Sequence, residues 1–227
     1  MKKYLAIFGI SLSLFVLSCD KEEVEEVTPS PIFILGCTDE NAENFNLDAT
    51  DDNGSCTYSV SYMLNGEWNI QLLEYSTEVD LGQIDPSILP AEFQIAWPLI
   101  VASLGSAGID GEAQDAGAFQ IIDTGKMYNQ VLVFDTEPSE IEIPIVGAQE
   151  IPSIAIDNSS SGTWSLQDND QTIVFNDSST GSQQVYEILT LSPDFARFKG
   201  NLIVPLDLDG LFSIDVDLDL DLQLQKQ

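Results

Sequence analysis

From about Ser59 onward the chain is a succession of short alternating runs. The last is the clearest, IDVDLDLDLQLQ from Ile214 to Gln225. Ile214, Val216, Leu218, Leu220, Leu222 and Leu224 share one face. Asp215, Asp217, Asp219, Asp221, Gln223 and Gln225 share the other. A period of two belongs to a strand, because a helix repeats every 3.6 residues. VPLDLDGLF, just before it, sets Leu206 and Leu208 against Asp207 and Asp209, which predicts a hairpin turning at Asp209-Gly210. EWNIQLLEY, QVLVFDT, IEIPIVG, SIAID, GTWSLQD, QTIVFND, QVYEILTLS and ARFKGNLIV read as further strands, divided by DNSSSG, DND and NDSSTGS. A meander with one dry face predicts an all-β domain over residues 59–227, either an antiparallel up-and-down barrel or a sandwich.

One stretch breaks the pattern. DPSILPAEFQIAWPLIVASLGSAGI, residues 85–109, is too long and too apolar for a strand. Asp85 can cap a helix with Pro86 at its first position. Pro90 and Pro98 interrupt a single helix, which predicts two short ones after the first strand. The insertion is expected to plug the core; covering an open end of the barrel is the alternative.

The closing strand raises an electrostatic question. Aspartates two residues apart lie ~7 Å apart, where each pair costs only ~0.6 kcal/mol in bulk water. Burying one leucine gains ~1.5–3 kcal/mol. A solvated acidic face therefore needs no ligand. The sharper alternative is a face on which divalent cations bridge aspartates.

The N-terminus carries an address. MKKYLAIFGISLSLFVLSC has two lysines, an apolar run and a small residue before cysteine, which is a secretory signal too short to span a bilayer stably. Val16-Leu17-Ser18-Cys19 resembles a bacterial lipobox. That resemblance implies removal of residues 1–18, a lipid on Cys19 and a membrane as partner. DKEEVEEVTPSP then opens an acidic linker over residues 19–35, and the acids behind the lipidated cysteine resemble an export signal to the outer surface of the outer membrane.

Cys37 and Cys56 bracket an Asp/Asn-rich segment, residues 36–58, and in an exported chain they are expected to pair. A staple of this size contributes ~3 kcal/mol in the chain-entropy model. Asp39, Asp48, Asp51, Asp52 and Asn53 are candidate oxygen ligands for calcium, although the full spacing of a calcium loop is absent. The alternative is a disulfide-held, turn-rich spacer. GCTDENAENFNLDATDDNGSC resembles the GCTDPxAxNYNPxAxxDDGSC segments of secreted bacterial proteins, with Glu40, Phe45 and Leu47 at three departures and Asn53 inserted.

Composition narrows the function classes. The 227 residues carry 38 acids against 7 bases, a formal charge of −31, and residues 22–125 contain no Lys or Arg. Nucleic acid is not expected as a partner, for want of basic clusters. Histidine is absent, which removes Ser-His-Asp triads and His-ligated zinc. A carboxylate-based glycosidase would need one acid pair ~5–10 Å apart in a cleft, and no pair stands out.

Three stretches then carry a resemblance: LNGEWNIQLLEY, with Gly66-x-Trp68 opening the first strand; SGTWSLQDNDQTIVF; and YEILTLSPDFARFKG. Their order resembles the lipocalin-like domains of bacterial secreted lipoproteins, over about residues 62–200. The resemblance implies an antiparallel up-and-down barrel whose interior can hold one small apolar or amphipathic ligand. It also implies that Trp68 closes one end beneath Arg197, the chain's only arginine. Phe93, Trp97, Leu99 and Ile100 of the insertion, with Trp164, are the expected ligand-lining residues. Non-enzymatic ligand binding at the cell surface is the leading expectation. A structural or adhesive surface module without a cavity, stabilised by calcium, is the alternative.

Overall fold

A computed structural model describes residues 32–89, 91–143, 147–207 and 213–227. The signal segment and Cys19 lie outside these residues. So do Pro90 and the expected turn at Asp209-Gly210. Among the described residues no helix is long and apolar enough to cross a membrane.

The stapled segment comes first. Strands β1 (Leu35–Gly36) and β2 (Asp51–Asp52) pair in parallel, and Cys37 bonds to Cys56 with a Cα–Cα distance of 4.9 Å. Helix α1 (Val60–Leu64) follows, capped by the Ser59 hydroxyl, which accepts from the Tyr62 N–H. Strand β3 (Gly66–Asp80) leads through two 3-10 turns, Leu81–Gln83 and Pro86–Ile88, into α2 (Ala91–Leu104). Then come β4 (Ser106–Ile122), β5 (Met127–Asp135), β6 (Ser139–Ile143), β7 (Gly147–Ile151), β8 (Ala155–Asp157) and β9 (Ser160–Gln167). The chain ends with β10 (Thr172–Asp177), β11 (Gln183–Leu191), β12 (Phe195–Asp207) and β13 (Ser213–Lys226).

Nine strands form one antiparallel sheet in the order β4-β3-β13-β12-β11-β10-β9-β5-β8, and β4 also pairs with β5, so the sheet closes in a ring. The ring is not a regular barrel. Strands β8 and β9 lie end to end along β5, in one register. Beyond Gly117, β4 loses β5 and pairs with β3 alone. Likewise β13 meets β3 only from Asp219 onward, while its hairpin with β12 runs on to Ser213. Two long ribbons, β3–β4 and β12–β13, therefore extend past one end of the ring. We call this the far end, and the end with α1 and the chain terminus the near end.

The alternation of the sequence decides which side chains fill the ring. Val216, Leu218, Leu220, Leu222 and Leu224 are buried, and the aspartates between them point outward. Each leucine exchanges water for hydrocarbon, which outweighs the repulsion along the outer row. The aromatic core crosses the ring. Phe119 on β4 lies 5.5 Å from Phe175 on β10, 6.1 Å from Tyr186 on β11 and 6.2 Å from Phe198 on β12, ring centroid to centroid. Gly200 opposite Tyr186 makes room, since a Cβ there would stand 2.5 Å from the Tyr186 ring.

The insertion corrects two expectations. Asp85 does cap the short 3-10 turn Pro86–Ile88 with Pro86 at its first position, as expected, but the α-helix that follows runs on through Pro98 for 14 residues where an interruption was expected. Gln94, whose carbonyl loses its partner at Pro98, lies on the same exposed face as the proline, so water can take the bond. The helix also does not plug the ring. Trp97 and Ile100 pack with Leu81 and Leu89 in a satellite core at the tip of the β3–β4 ribbon, separate from the main core. The last residues of the expected insertion, 106–109, belong to β4.

Candidate functional site

At the near end, α1 and two lysines cover two tryptophans. Trp68 is buried, and its indole N–H donates to the Leu64 carbonyl at 2.7 Å. Above it lies Lys226, with Nζ 5.0 Å from the ring centroid and donating to the Met63 carbonyl at 2.9 Å. Burial pushes the Lys226 ammonium pKa down. Trp164, on β9, donates to the Ile122 carbonyl, and Lys126 sits 4.2 Å above its ring while bonding to Ser61 on α1 and to Asp123. Gly66 fits this arrangement, with φ +141° and a Cβ position 2.6 Å from Lys226 Cε.

Arg197 is not part of this closure, which corrects the expected Trp68–Arg197 contact. Its guanidinium forks onto Asp221 outside the ring, Nε to Oδ1 at 2.7 Å and Nη2 to Oδ2 at 2.8 Å. That carboxylate raises the arginine pKa further. On β12, Arg197 pairs across from Gln223, two residues from Asp221 on the outward row, which fixes the direction of its side chain. The cations that do cover the tryptophans, Lys126 in the β4–β5 turn and Lys226 at the end of β13, were not among the expected residues.

The five expected ligand-lining residues do not form one site. Phe93, Trp97 and Ile100 belong to the satellite core at the far end, Leu99 is exposed beside them, and Trp164 is in the near-end closure. The five expected calcium ligands do not converge either. Asp39 accepts from Asn41 N–H, the Asn41 side chain and the Tyr58 hydroxyl. Asp51 accepts from Thr50, Asp52 from Gly54 N–H and Asn53 from Ser55 N–H. Asp48 is bound through its own N–H to Asn46. These are local turns in which each residue serves its neighbour. Among the described residues no group of three or more acids, cysteines or histidines is gathered for a metal.

Two surfaces stand out. Where the ribbons diverge, an open groove of about 700 Å³ is lined by Glu74, Asp110, Glu112, Glu137, Asp219 and Asp221, with Lys199 as the one base. The sheet register sets Lys199, Asp221, Glu74 and Glu112 in a row across four strands. The second surface is the far-end tip. Ile95 is 89% exposed, and Ile88 and Leu99 are each 47% exposed. Pro98 and Ala102 continue this stripe of α2. Exposed acids, Glu78, Asp80 and Asp85, stand near the base of the tip.

No protein-family model, no curated protein and no solved structure matches the chain.

Proposed function

We propose that this is a lipid-anchored surface protein that works by contact and not by catalysis, holding an apolar tip away from the membrane on a filled, lipocalin-like ring. Counting β8 and β9 as one bent strand leaves eight strands in meander order around the ring, as in an up-and-down barrel of that kind. The anchor is Cys19, at the start of the acidic linker, on the outer surface of the outer membrane.

The observation that carries the reading is Ile95. A large aliphatic side chain left 89% exposed, on a helix that already has its own small core, loses nothing in folding and gains only on contact with something else. Its position supports the same role. The linker joins the ring through α1 at the near end, and the tip lies at the far end. Carriage of a small apolar molecule is the lesser reading, because Phe119, Phe175, Tyr186 and Phe198 meet across the ring's interior.

The test compares host cells carrying wild type with cells carrying Ile95→Asp/Leu99→Asp at equal surface levels. The reading requires wild-type cells to adhere to an apolar surface or to one another and the variant to lose that adhesion. Equal adhesion removes it. Retention of Cys19→Ser on the cell surface would separately remove the anchor.

A further inference from the structure

At the far end the wall of the ring is split. The β13–β3 ladder stops at Asp219 opposite Ser76, although β3 runs on to Asp80 and β13 begins at Ser213. Beyond that pair each strand keeps only its other neighbour. Thr77–Asp80 pair with β4, and Ser213–Leu218 pair with β12. Two free edges therefore look at each other across a gap. Among the described residues no strand pairs with either edge, so each presents backbone N–H and C=O groups that a further strand could take.

The side chains explain why the ladder stops there. Continued in the same register, it would set Glu78 opposite Asp217 and Asp80 opposite Asp215. Like charges directly opposite one another repel. Within the ladder this conflict arises once, between Glu74 and Asp221, and there Arg197 forks onto Asp221. Past the fork no cation plays that part, because β12 sets Ile203 opposite Asp217 and Pro205 opposite Asp215. Glu78, Asp80 and Asp217 accept from Ser106, Gly82 and Asn201, neutral donors that leave the charge uncancelled. All four acids are exposed, and Thr77, Val79, Val216 and Leu218 hold the alternate, inward positions.

We propose that the gap between β3 and β13 is a docking site for an extended strand of a partner protein, in which Lys or Arg alternates with apolar residues. Both edges bond such a strand, which is sheet augmentation from two sides. Its cations lie between Glu78 and Asp217 and between Asp80 and Asp215, at the ~5 Å spacing of cross-strand neighbours. Its apolar residues continue the inward row. A second copy of this chain does not fit, because its own alternating strand brings aspartates where cations are needed. The site is separate from the α2 tip and does not rest on the role of the tip.

The experiment uses the mature protein and a capped six-residue peptide in which Lys and Val alternate. Calorimetry reads affinity, and amide exchange reads place. The alternating peptide should bind and slow exchange in residues 77–80 and 213–218. A peptide of the same composition with its lysines in one block should bind more weakly, since it cannot match both rows. So should the alternating peptide N-methylated at every second residue, which keeps the charge and loses donors. Asp215→Asn/Asp217→Asn should weaken the alternating peptide about 2- to 30-fold, and Ile95→Asp/Leu99→Asp should leave it unchanged. Equal affinity for all three peptides shows attraction to acidic surface alone and overturns the proposal. No binding at ~1 mM peptide, the weakest contact worth calling specific, also overturns it. Protection elsewhere, or loss of binding in the tip variant, places the peptide at another site and does the same.

Discussion

Lys226, next to the last residue, lies over Trp68, near the start of the first long strand, and so ties the two ends of the ring's sequence together. Its Nζ is 5.0 Å from the indole centroid and 2.9 Å from the Met63 carbonyl. Strand β13 pairs with β3 at the same place, Lys226 opposite Trp68. The last strand thus closes on the first through backbone, aromatic and charge contacts at once.

Removing the ammonium while keeping the stem isolates the charge. Lys226→Met should cost about 0.5–2 kcal/mol, the range of a cation over an aromatic face. Gly66→Ala should cost about 1–3 kcal/mol, because a Cβ would displace Lys226 from a backbone at φ +141°. In urea titrations the double variant should be less destabilised than the sum of the two singles, since both disturb one contact. Strict additivity would show that Gly66 acts through backbone strain alone.

Tyr58 donates to Asp39 at 2.7 Å, and this bond to the carboxylate pushes the phenol pKa up to about 12. Its folded pKa lies above the unfolded value, so its stabilising effect is fully present below about pH 10 and is lost as pH rises towards 12. Asp39 is lowered, chiefly by the Asn41 N–H and then by Tyr58, so its share is present above about pH 4 and is lost as pH falls through the lower folded value. Burial also raises Tyr75, Tyr128 and Tyr186, so ultraviolet titration at the tyrosinate band should show several late-ionising tyrosines, one fewer in Tyr58→Phe. Ordinary ionisation of every exposed tyrosine would contradict the bond.

The Arg197–Asp221 pair is bidentate but partly open to solvent, with the arginine side chain 41% exposed. A double-mutant cycle with Arg197→Met and Asp221→Asn should give a coupling of about 0.2–1 kcal/mol that shrinks in high salt. A coupling several times larger, insensitive to salt, would mean that the pair is far less solvated than its geometry implies.

The outward aspartates predict a salt response. Asp215→Asn/Asp217→Asn/Asp219→Asn should raise the Tm at low ionic strength, since each neighbouring pair repels by about 0.6 kcal/mol across ~7 Å of water. Near 1 M sodium chloride, where the screening length is ~3 Å, most of the gain should disappear. Asp217 also accepts from Asn201 at 2.8 Å, so Asp217→Asn alone should gain least. A triple variant less stable at low salt would reveal a bound cation that the repulsion argument lacks.

The cysteine staple contributes locally. Cys37→Ser/Cys56→Ser should loosen residues 35–56 by about 3 kcal/mol in the chain-entropy estimate, seen as faster amide exchange there. The ring's own melting should move little, because β1 and β2 form a sheet of their own and Tyr58 stacks on Tyr62 of α1, 5.1 Å between centroids, not on a strand of the ring.

Local patterns carried much of this protein in the sequence. The period-two runs located most of the strands, since burial of alternate side chains is a local consequence of the pleat, but β4 (Ser106–Ile122) was not among them, and IEIPIVG, expected as one strand, holds the end of β6 and the start of β7. Leu218, Leu220, Leu222 and Leu224 inside and Asp217 and Asp219 outside needed no tertiary information. The Cys37–Cys56 bond followed from two cysteines in a short segment of an exported chain. Gln130 lies on the buried row of Tyr128, Leu132 and Phe134 and was not among the expected residues.

The tertiary structure decided everything that depends on how far the ring turns before it closes. Which cation covers Trp68 is set by β13 returning beside β3, a neighbourhood separated by most of the chain, and that chose Lys226 over Arg197. Trp164 and α2 went to opposite ends because β3 rises past the ring before the insertion begins, and only strand length and register determine that. Gln130 and Tyr186 came within hydrogen-bond reach because contacts across a closed sheet join residues with no shared sequence period. Periodicity tells a side chain which face it is on; closure tells it what it meets there.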